Sequence, residues 1–146
     1  MKRVAALGLD VGRRRMGVAG CDGTGLIATG LTTIRRTNWT EDVRQLQEII
    51  TAREVTILVV GLPYNLDGTL GNQAKQTQKF ADRLTHTLGL PIEYVDERLT
   101  SIEATAQLKA QKKFSTYDKG AIDRRAAAII LQQWLDTRRG QSLPKP

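Results

Sequence analysis

Three short apolar stretches open the chain, with turn residues between them. Residues 4–11, 13–21 and 26–34 have the length and the apolar content of β-strands. Gly12 lies at the first turn, and the sequence CDGTG at 21–25 marks the second. Because such short connections join neighbouring strands in opposite directions, the pattern predicts an antiparallel three-stranded meander.

The rest of the chain alternates helical and strand patterns. Asn38 and Glu41 form a capping-box pattern ahead of apolar residues that are spaced for one face of a helix. The continuous β-branched run at 55–63 is typical of a strand that is buried on both faces. The other predicted elements are a helix over 72–88, a strand over 91–95, a helix that starts near Ser101 and a last helix over 120–138.

This order of elements predicts the fold class. Strands that alternate with helices extend the meander in parallel, through right-handed crossovers. We therefore predict an α/β fold with a mixed five-stranded sheet, in which three antiparallel strands are followed by parallel additions, and with helices on both faces. Residues 1–138 are predicted to form a single domain, and residues 139–146 a flexible C-terminal tail.

The charge balance points to a polyanionic partner. The chain has 22 Lys and Arg against 15 Asp and Glu, a formal net charge of +7, and phosphate neutralisation by basic side chains drives nucleic-acid binding. The alternative is an ordinary solvated basic surface. The basic residues best placed for a phosphate backbone are Arg13, Arg14, Arg15, Arg98, Lys112, Lys113, Arg124 and Arg125. Tyr64 and Tyr117, on predicted loops, either stack on a base or pack against their own loop.

The single cysteine and the apolar runs indicate the compartment. Cys21 lies in a strand-like run, so we interpret it as a small buried hydrophobe that suits a reducing cytoplasm. No stretch approaches the ~18 apolar residues of a membrane span. We expect a cytoplasmic protein without membrane contact.

Four carboxylates occur where predicted strands end or a helix begins. Asp10 ends the first strand, Asp96 and Glu97 follow the fifth, and Asp123 lies early in the last helix. Ligands of open α/β sheets bind at such ends. Carboxylates that meet there in a basic protein suggest a divalent-cation site, because Mg²⁺ takes oxygen ligands from protein and substrate phosphates.

Each of these carboxylates also has a structural interpretation. Asp10 could hydrogen-bond its own turn, and Asp123 could complement a helix N-terminus. Asp96 and Glu97 are adjacent and point to opposite faces of a strand, so only one of them can face Asp10. The spacing leaves open which one does. His86, the only histidine, is predicted on a helix surface and not as a general base.

A Gly- and Asn-rich loop at 61–74 connects a predicted strand to a helix. Its backbone N–H groups could bind a phosphate at the helix N-terminus, although it could equally be an ordinary connection. It lacks the G-K-[ST] sequence of a Walker loop. Asp67 in this loop is a candidate for an additional ligand.

Four motifs together resemble one protein family. LDVGRRRMGVA, VGLPYNLDGTLGNQA, VDERLTSIEA and KGAIDRRAAAIIL occur in that order between residues 8 and 131. They are similar to motifs of the YqgF family, bacterial RNase H-like proteins described as pre-16S rRNA nucleases and as Holliday-junction-resolvase-like nucleases. The resemblance implies a ribonuclease H-like fold, with Asp10, Glu97 and Asp123 as both the catalytic and the metal-binding residues.

The resemblance also implies a function. It implies a hydrolase, a nuclease that depends on Mg²⁺ or Mn²⁺, acts on structured RNA or branched DNA and matures precursor 16S rRNA. Ribosomal precursor particles would then be partners, and the protein a monomer or a weak homodimer. Arg13 and Arg124 depart from the family pattern, and both add positive charge beside the acidic residues.

Three alternatives remain at this point. The first is a Holliday junction resolvase. The second is a weakly catalytic or non-catalytic nucleic-acid-binding module in ribosome assembly. The third is a sugar-kinase-like or actin-like ATPase, whose first phosphate loop LDVGRRRMGVA resembles, but those proteins use two such domains and this chain has room for one.

Overall fold

The computed structural model describes residues 3–97 and 119–142, which form a sheet and the helices that cover it. The strands are β1 (Ala6–Val11), β2 (Arg15–Cys21), β3 (Ala28–Arg35), β4 (Ile57–Leu62) and β5 (Ile92–Asp96). The helices are α1 (Trp39–Arg53), α2 (Asn72–Leu88) and α3 (Lys119–Ser142). The predicted helix from Ser101 and the predicted basic loop up to residue 118 lie outside the described residues.

The sheet has the predicted mixed topology. Its strand order is β3-β2-β1-β4-β5. Both pairs of the β1–β2–β3 meander are antiparallel, and β4 is parallel to β1 and to β5. The register pairs Asp10 of β1 with Gly17 of β2, and Leu62 of β4 with Asp96 of β5. The acidic residues of β1 and β5 therefore lie at the same end of the sheet, where the carboxyl ends of β1, β4 and β5 meet.

Each face of the sheet carries its own hydrophobic core. On one face, Leu7, Leu9 and Met16 pack with Leu46 of α1 and Leu84 of α2. On the other face, small residues of the strands pack against α3; this second core includes Ala6, Ala19, Val59, Ala127 and Leu131. The prediction of helices on both faces is confirmed.

Glycines let α3 lie directly against the sheet. A Cβ atom added at Gly8 would lie 2.9 Å from the carbonyl oxygen of Ala127, and one added at Gly17 would overlap the backbone of Asp123. Real Cβ atoms do not approach backbone atoms so closely, so only glycine permits this packing. The backbone at Asp123 is thereby held against the strand that pairs with Asp10.

The helix ends largely follow the sequence signals. The Asn38 side chain accepts a hydrogen bond from the Glu41 N–H at 2.9 Å, as the capping pattern predicts. The helix α2 covers the predicted residues 72–88, and Gly89 ends it in the left-handed conformation, with φ of 70°. None of the helices in residues 3–97 and 119–142 is long and apolar enough to cross a membrane.

The C-terminal helix is longer than predicted. Residues 139–142 continue α3 as far as Ser142, four residues beyond the predicted end of the helix near residue 138. The Arg139 guanidinium donates a hydrogen bond at 2.8 Å to the carbonyl of Gly25 in the β2–β3 turn. This contact joins distant parts of the chain, so local sequence patterns could not predict it. Residues 143–146 lie outside the described residues.

Candidate active site

Asp10 and Glu97 meet at the carboxyl ends of β1 and β5. Asp10 is the penultimate residue of β1, and Glu97 directly follows β5. Gly61 of the intervening β4 has no side chain, and a Cβ atom there would overlap the Glu97 carboxyl group. The side chain of Glu97 thus lies over β4, and its carboxyl group forms a hydrogen bond with that of Asp10.

This contact perturbs both acids. Burial, followed by the charge of Asp10 and the hydrogen bond to Asp10, raises the pKa of Glu97 to about 8. Burial also raises the pKa of Asp10, and the nearby charge of Asp123 adds to this, although the hydrogen bond from Glu97 opposes it. At neutral pH in the absence of a cation, the two groups share a proton that Glu97 donates to Asp10.

Asp123 lies on the same face of the sheet but is paired with a cation. The Arg15 Nε atom lies 2.5 Å from Asp123 Oδ2. Within residues 3–97 and 119–142, no three Asp, Glu, His or Cys side chains are grouped as a metal-binding set. The structure therefore brings two of the three predicted acids into contact and places the third nearby, held by Arg15.

The structure separates Asp96 from Glu97. Val95 belongs to the core under α3, so strand alternation directs Asp96 to the opposite face. Glu97 turns back over Gly61 and reaches Asp10. Of the two adjacent acids, Glu97 is the one that contacts Asp10, in agreement with the family resemblance.

A family model described as "RuvX: Holliday junction resolvase" matches residues 4–137. The chain belongs to the RuvX family. The resemblance to YqgF proteins is thereby confirmed, since the two names denote one family.

Curated relatives of this RuvX-family chain are close in sequence. A protein of Rippkaea orientalis is 70% identical over 139 residues, which cover 95% of this chain and 100% of the relative. A protein of Synechocystis sp. is 64% identical over 138 residues, which cover 94% of this chain and 91% of the relative. Both relatives carry the name "Putative pre-16S rRNA nuclease".

Solved structures confirm the fold class. A structure of T. thermophilus RuvC in complex with Holliday junction substrate matches with a TM-score of 0.57 and 13% identity, covering 97% of this chain and 99% of that chain. A second Thermus thermophilus RuvC structure matches with a TM-score of 0.55 at 13% identity, covering 94% of this chain and 97% of that chain. RuvC has an RNase H-like fold, as predicted for this chain.

The predicted phosphate-binding arginines of this RuvX-family chain occupy different environments. Arg13 and Arg14 are exposed in the β1–β2 turn, whereas Arg15 is half-buried against Asp123. Arg124 packs over Gly30 of β3, and Arg125 is exposed on α3. The other candidates, Arg98, Lys112, Lys113 and Tyr117, lie outside the described residues.

Asp67 is engaged within its own loop. Its Oδ1 atom accepts hydrogen bonds from the backbone N–H of Thr69 at 2.9 Å and from the Thr69 hydroxyl at 2.6 Å. This is the geometry of an Asx turn. The backbone N–H of Gly68 is also used inside the loop, by the Asn65 carbonyl at 2.9 Å. These contacts favour the interpretation of an ordinary connection for this part of the loop.

Arg36 is a residue that sequence reasoning missed. Its Nη1 atom donates a hydrogen bond at 2.6 Å to the carbonyl of Gly12, next to the β1 end that carries Asp10. Its guanidinium carbon lies 4.5 Å from the centre of the Phe80 ring. The Arg35–Arg36 doublet is visible in the sequence, but the partners of Arg36 come from distant segments. His86 is exposed on α2, as predicted.

Proposed function

We propose that this protein is a divalent-metal-dependent nuclease that hydrolyses phosphodiester bonds in nucleic acid during maturation of precursor 16S rRNA. The observation that carries the proposal is the partly buried Asp10–Glu97 contact at the strand ends, with Asp123 on the same face. Membership of the RuvX family and the names of its curated relatives support the same reaction and substrate.

The donor set fits a hard divalent cation. Asp10, Glu97 and Asp123 supply only carboxylate oxygens, which are the ligands that Mg²⁺ and Mn²⁺ accept. Two partly buried carboxyl groups in contact, both with raised pKa, are a pair that a nearby positive charge would stabilise in the ionised form. Once bound, such a cation supplies an activated water and stabilises charge in the displacement at phosphorus.

The chain's own residues prepare this site. The ends of β1 and β5 position Asp10 and Glu97, and the absence of a side chain at Gly61 leaves room for the Glu97 carboxyl group. Little reorganisation is therefore needed before a cation is bound. Arg15 keeps the Asp123 carboxylate neutralised in the metal-free protein. Glu97 would release its proton on binding, so that binding should be weaker in acid.

Basic residues next to the site would hold the substrate. Arg13, Arg14, Arg124 and Arg125 surround the strand ends and α3 near Asp123. If six phosphates are neutralised, the log–log salt slope on duplex DNA should be about −5. Replacing Arg124 and Arg125 together should flatten that slope by one or two units, whereas binding that ignores salt would contradict this part of the proposal.

The deciding experiment is a cleavage assay with Mg²⁺ or Mn²⁺. It compares precursor 16S rRNA, linear RNA of the same length and four-way DNA junctions, with Asp10→Asn as the matched inactive variant. We expect cleavage of the precursor by the wild type, none by the variant, and none with EDTA. Binding of all three nucleic acids without cleavage of any would favour the non-catalytic binding module.

A junction resolvase is the second candidate, because the family model carries that description. In the same assay it predicts symmetrical cuts in the four-way junction and none in the precursor RNA. We propose a cytoplasmic location, where ribosomal precursor particles would be partners, and a monomer or weak homodimer.

A further inference from the structure

An aromatic–basic groove lies on the sheet face opposite α3. We use this name for the groove lined by Arg13, Arg36, Trp39, Lys79, Phe80 and Arg83, which has a volume of about 450 Å³. It is formed by the β1–β2 turn and by the N-terminal part of α1 and the middle of α2. It is separate from the contact between Asp10 and Glu97, which faces α3.

Two of the four cationic side chains of this groove are stacked on aromatic rings. The Arg83 guanidinium carbon lies 3.9 Å from the centre of the Trp39 ring, and that of Arg36 lies 4.5 Å from the centre of the Phe80 ring. The two rings meet edge to face, with centres 5.7 Å apart. Guanidinium groups stacked in this way lose less freedom when they bind a phosphate.

The charge of the groove is unbalanced. Among its lining residues in the described parts of the chain, four cationic side chains accompany one carboxylate, Asp42. Asp42 is buried, and its Oδ1 atom accepts a hydrogen bond from the Thr37 N–H at 3.1 Å. Arg36 Nε approaches its other oxygen at 3.9 Å. The cations of Arg13, Lys79 and Arg83 therefore face solvent with little internal compensation.

The groove begins next to the candidate active site. Arg36 binds the carbonyl of Gly12, two residues after Asp10, and exposed Arg13 belongs to the same turn. A strand whose phosphate lies at Asp10 can therefore pass around the β1–β2 turn and reach the groove. The groove suits one unpaired strand, because basic grooves with aromatic side chains are the usual binding surface for such strands.

We propose that the aromatic–basic groove binds an unpaired nucleic-acid strand that flanks the cleaved bond. The inference rests on the proposed nuclease function, because it names where the substrate continues beyond the acidic residues. It predicts a preference for substrates in which a single-stranded extension adjoins the cleavage position. Neither the family description nor the names of the relatives assign a role to this surface.

The test measures binding in EDTA, where cleavage is absent, to an RNA duplex with a single-stranded extension and to the same duplex with blunt ends. For Arg83→Gln with Lys79→Gln, we expect about tenfold weaker binding of the extended duplex at low salt. The salt slope should flatten by about one unit, since single strands contribute ~0.7 per phosphate. Binding of the blunt duplex should not change. Arg83→Lys, which keeps the charge, should retain most of the wild-type slope.

Arg138→Gln is the matched control. Arg138 is an exposed arginine over Trp134, with its guanidinium carbon 5.6 Å from the ring centre. It lies on α3 about 22 Å along the helix from Asp123 at 1.5 Å per residue. Because it makes the same type of contact far from the groove, its replacement should leave both affinities unchanged.

Two results would overturn this inference alone, and a third would overturn the proposed function with it. If the wild type binds both RNAs and the groove variants bind them equally well, the groove has no role and the proposed nuclease function stands. If the groove variants instead lose binding of polyglutamate and keep that of RNA, the surface binds acidic protein. Failure of the wild type to bind any nucleic acid would overturn both this inference and the proposed function.

Discussion

Two carboxylate environments on opposite faces of one sheet differ in what surrounds them. Asp42 lies on the α1 side, where it accepts a hydrogen bond from the Thr37 N–H and has Arg36 at 3.9 Å. Asp10, at the edge of the α3 side, contacts another carboxyl group, that of Glu97, and lies near Asp123. Asp42 thus has a hydrogen-bond donor and a cation as neighbours, whereas the neighbours named for Asp10 are other acids.

This difference separates a structural carboxylate from a candidate catalytic one. Burial of a charge is costly unless donors or cations compensate it. The Thr37 N–H and the Arg36 guanidinium compensate the charge of Asp42 within the fold, so this acid needs no bound cation. In the Asp10–Glu97 pair one carboxyl group hydrogen-bonds another and both pKa values are raised, so a cation from solution would stabilise the ionised pair. Partly buried acids that contact each other are therefore a stronger indication of a metal site than a buried acid with its own donors.

The largest expected effect comes from Asp10→Asn. The amide keeps the shape of the side chain but removes the charge, so metal-dependent cleavage should fall by at least 10²–10³, or about 3–4 kcal/mol. The metal-free protein should unfold at no lower temperature, because the amide oxygen still accepts the hydrogen bond from Glu97 and the repulsion between Asp10 and Asp123 is removed. Rates and melting curves measured on one preparation check both. Normal cleavage by a less stable variant would make Asp10 a turn residue.

The second effect is a pH dependence of stability that Glu97 causes in the absence of metal. Its pKa is about 8 in the folded protein, above the ordinary value of 4.5, so the folded state keeps a proton that the unfolded state releases. This contribution is fully present below about pH 4.5 and is lost as the pH rises through 8. Urea unfolding in EDTA should show the loss, and Glu97→Gln should abolish it. A pH-independent difference between the two proteins would refute the shared-proton arrangement.

For Asp42 we expect the reverse of the result for Asp10: a loss of stability, smaller in size, without a loss of cleavage. Asp42→Asn weakens the acceptor for the Thr37 N–H and removes the charge beside Arg36, which should cost about 1–3 kcal/mol of unfolding free energy. Cleavage per folded molecule should stay at the wild-type level. Denaturation combined with active-site titration measures both quantities. A variant that is stable but inactive would remove the distinction between the two acids.

The smallest effect is expected at Arg15. Arg15→Gln breaks a partly exposed pair with Asp123, so stability should fall by only about 1 kcal/mol. The freed carboxylate should bind Mg²⁺ about fivefold more tightly, if the lost pairing energy is available to the metal. Calorimetric titration with Mg²⁺ measures the affinity. Arg14→Gln, at an exposed neighbouring position, is the control and should change neither value.

Local patterns predicted most of the fold. Apolar runs and turn residues placed the five strands, and the Asn38 cap and Gly89 placed the ends of two helices. Each of these patterns spans only a few neighbouring residues, so it predicts structure without knowledge of the tertiary contacts. The end of α3 was predicted less well, and there Arg139 contacts Gly25, which lies more than a hundred residues earlier in the chain.

The candidate site was predictable in part. The predicted strand ends identified Asp10, but they did not decide whether Asp96 or Glu97 faces it. The family resemblance favoured Glu97. The pairing of Arg15 with Asp123 could not be predicted, since a run of three arginines gives no indication of which one turns inward. The roles of Asp10, Glu97 and Asp123 in catalysis remain predictions that the variants above can test.

The sequence by itself determined the elements, the mixed order of the strands and the acidic residues at strand ends, because hydrophobic periodicity and chain connectivity are local properties. The tertiary structure alone decided which groups meet across the sheet. Gly17 and Gly61 leave the space that Asp123 and Glu97 occupy. The register of β1 with β4 and that of β4 with β5 bring Glu97 to Asp10. Through-space contacts of this kind set the charge environment, and that environment distinguishes Asp10 from Asp42.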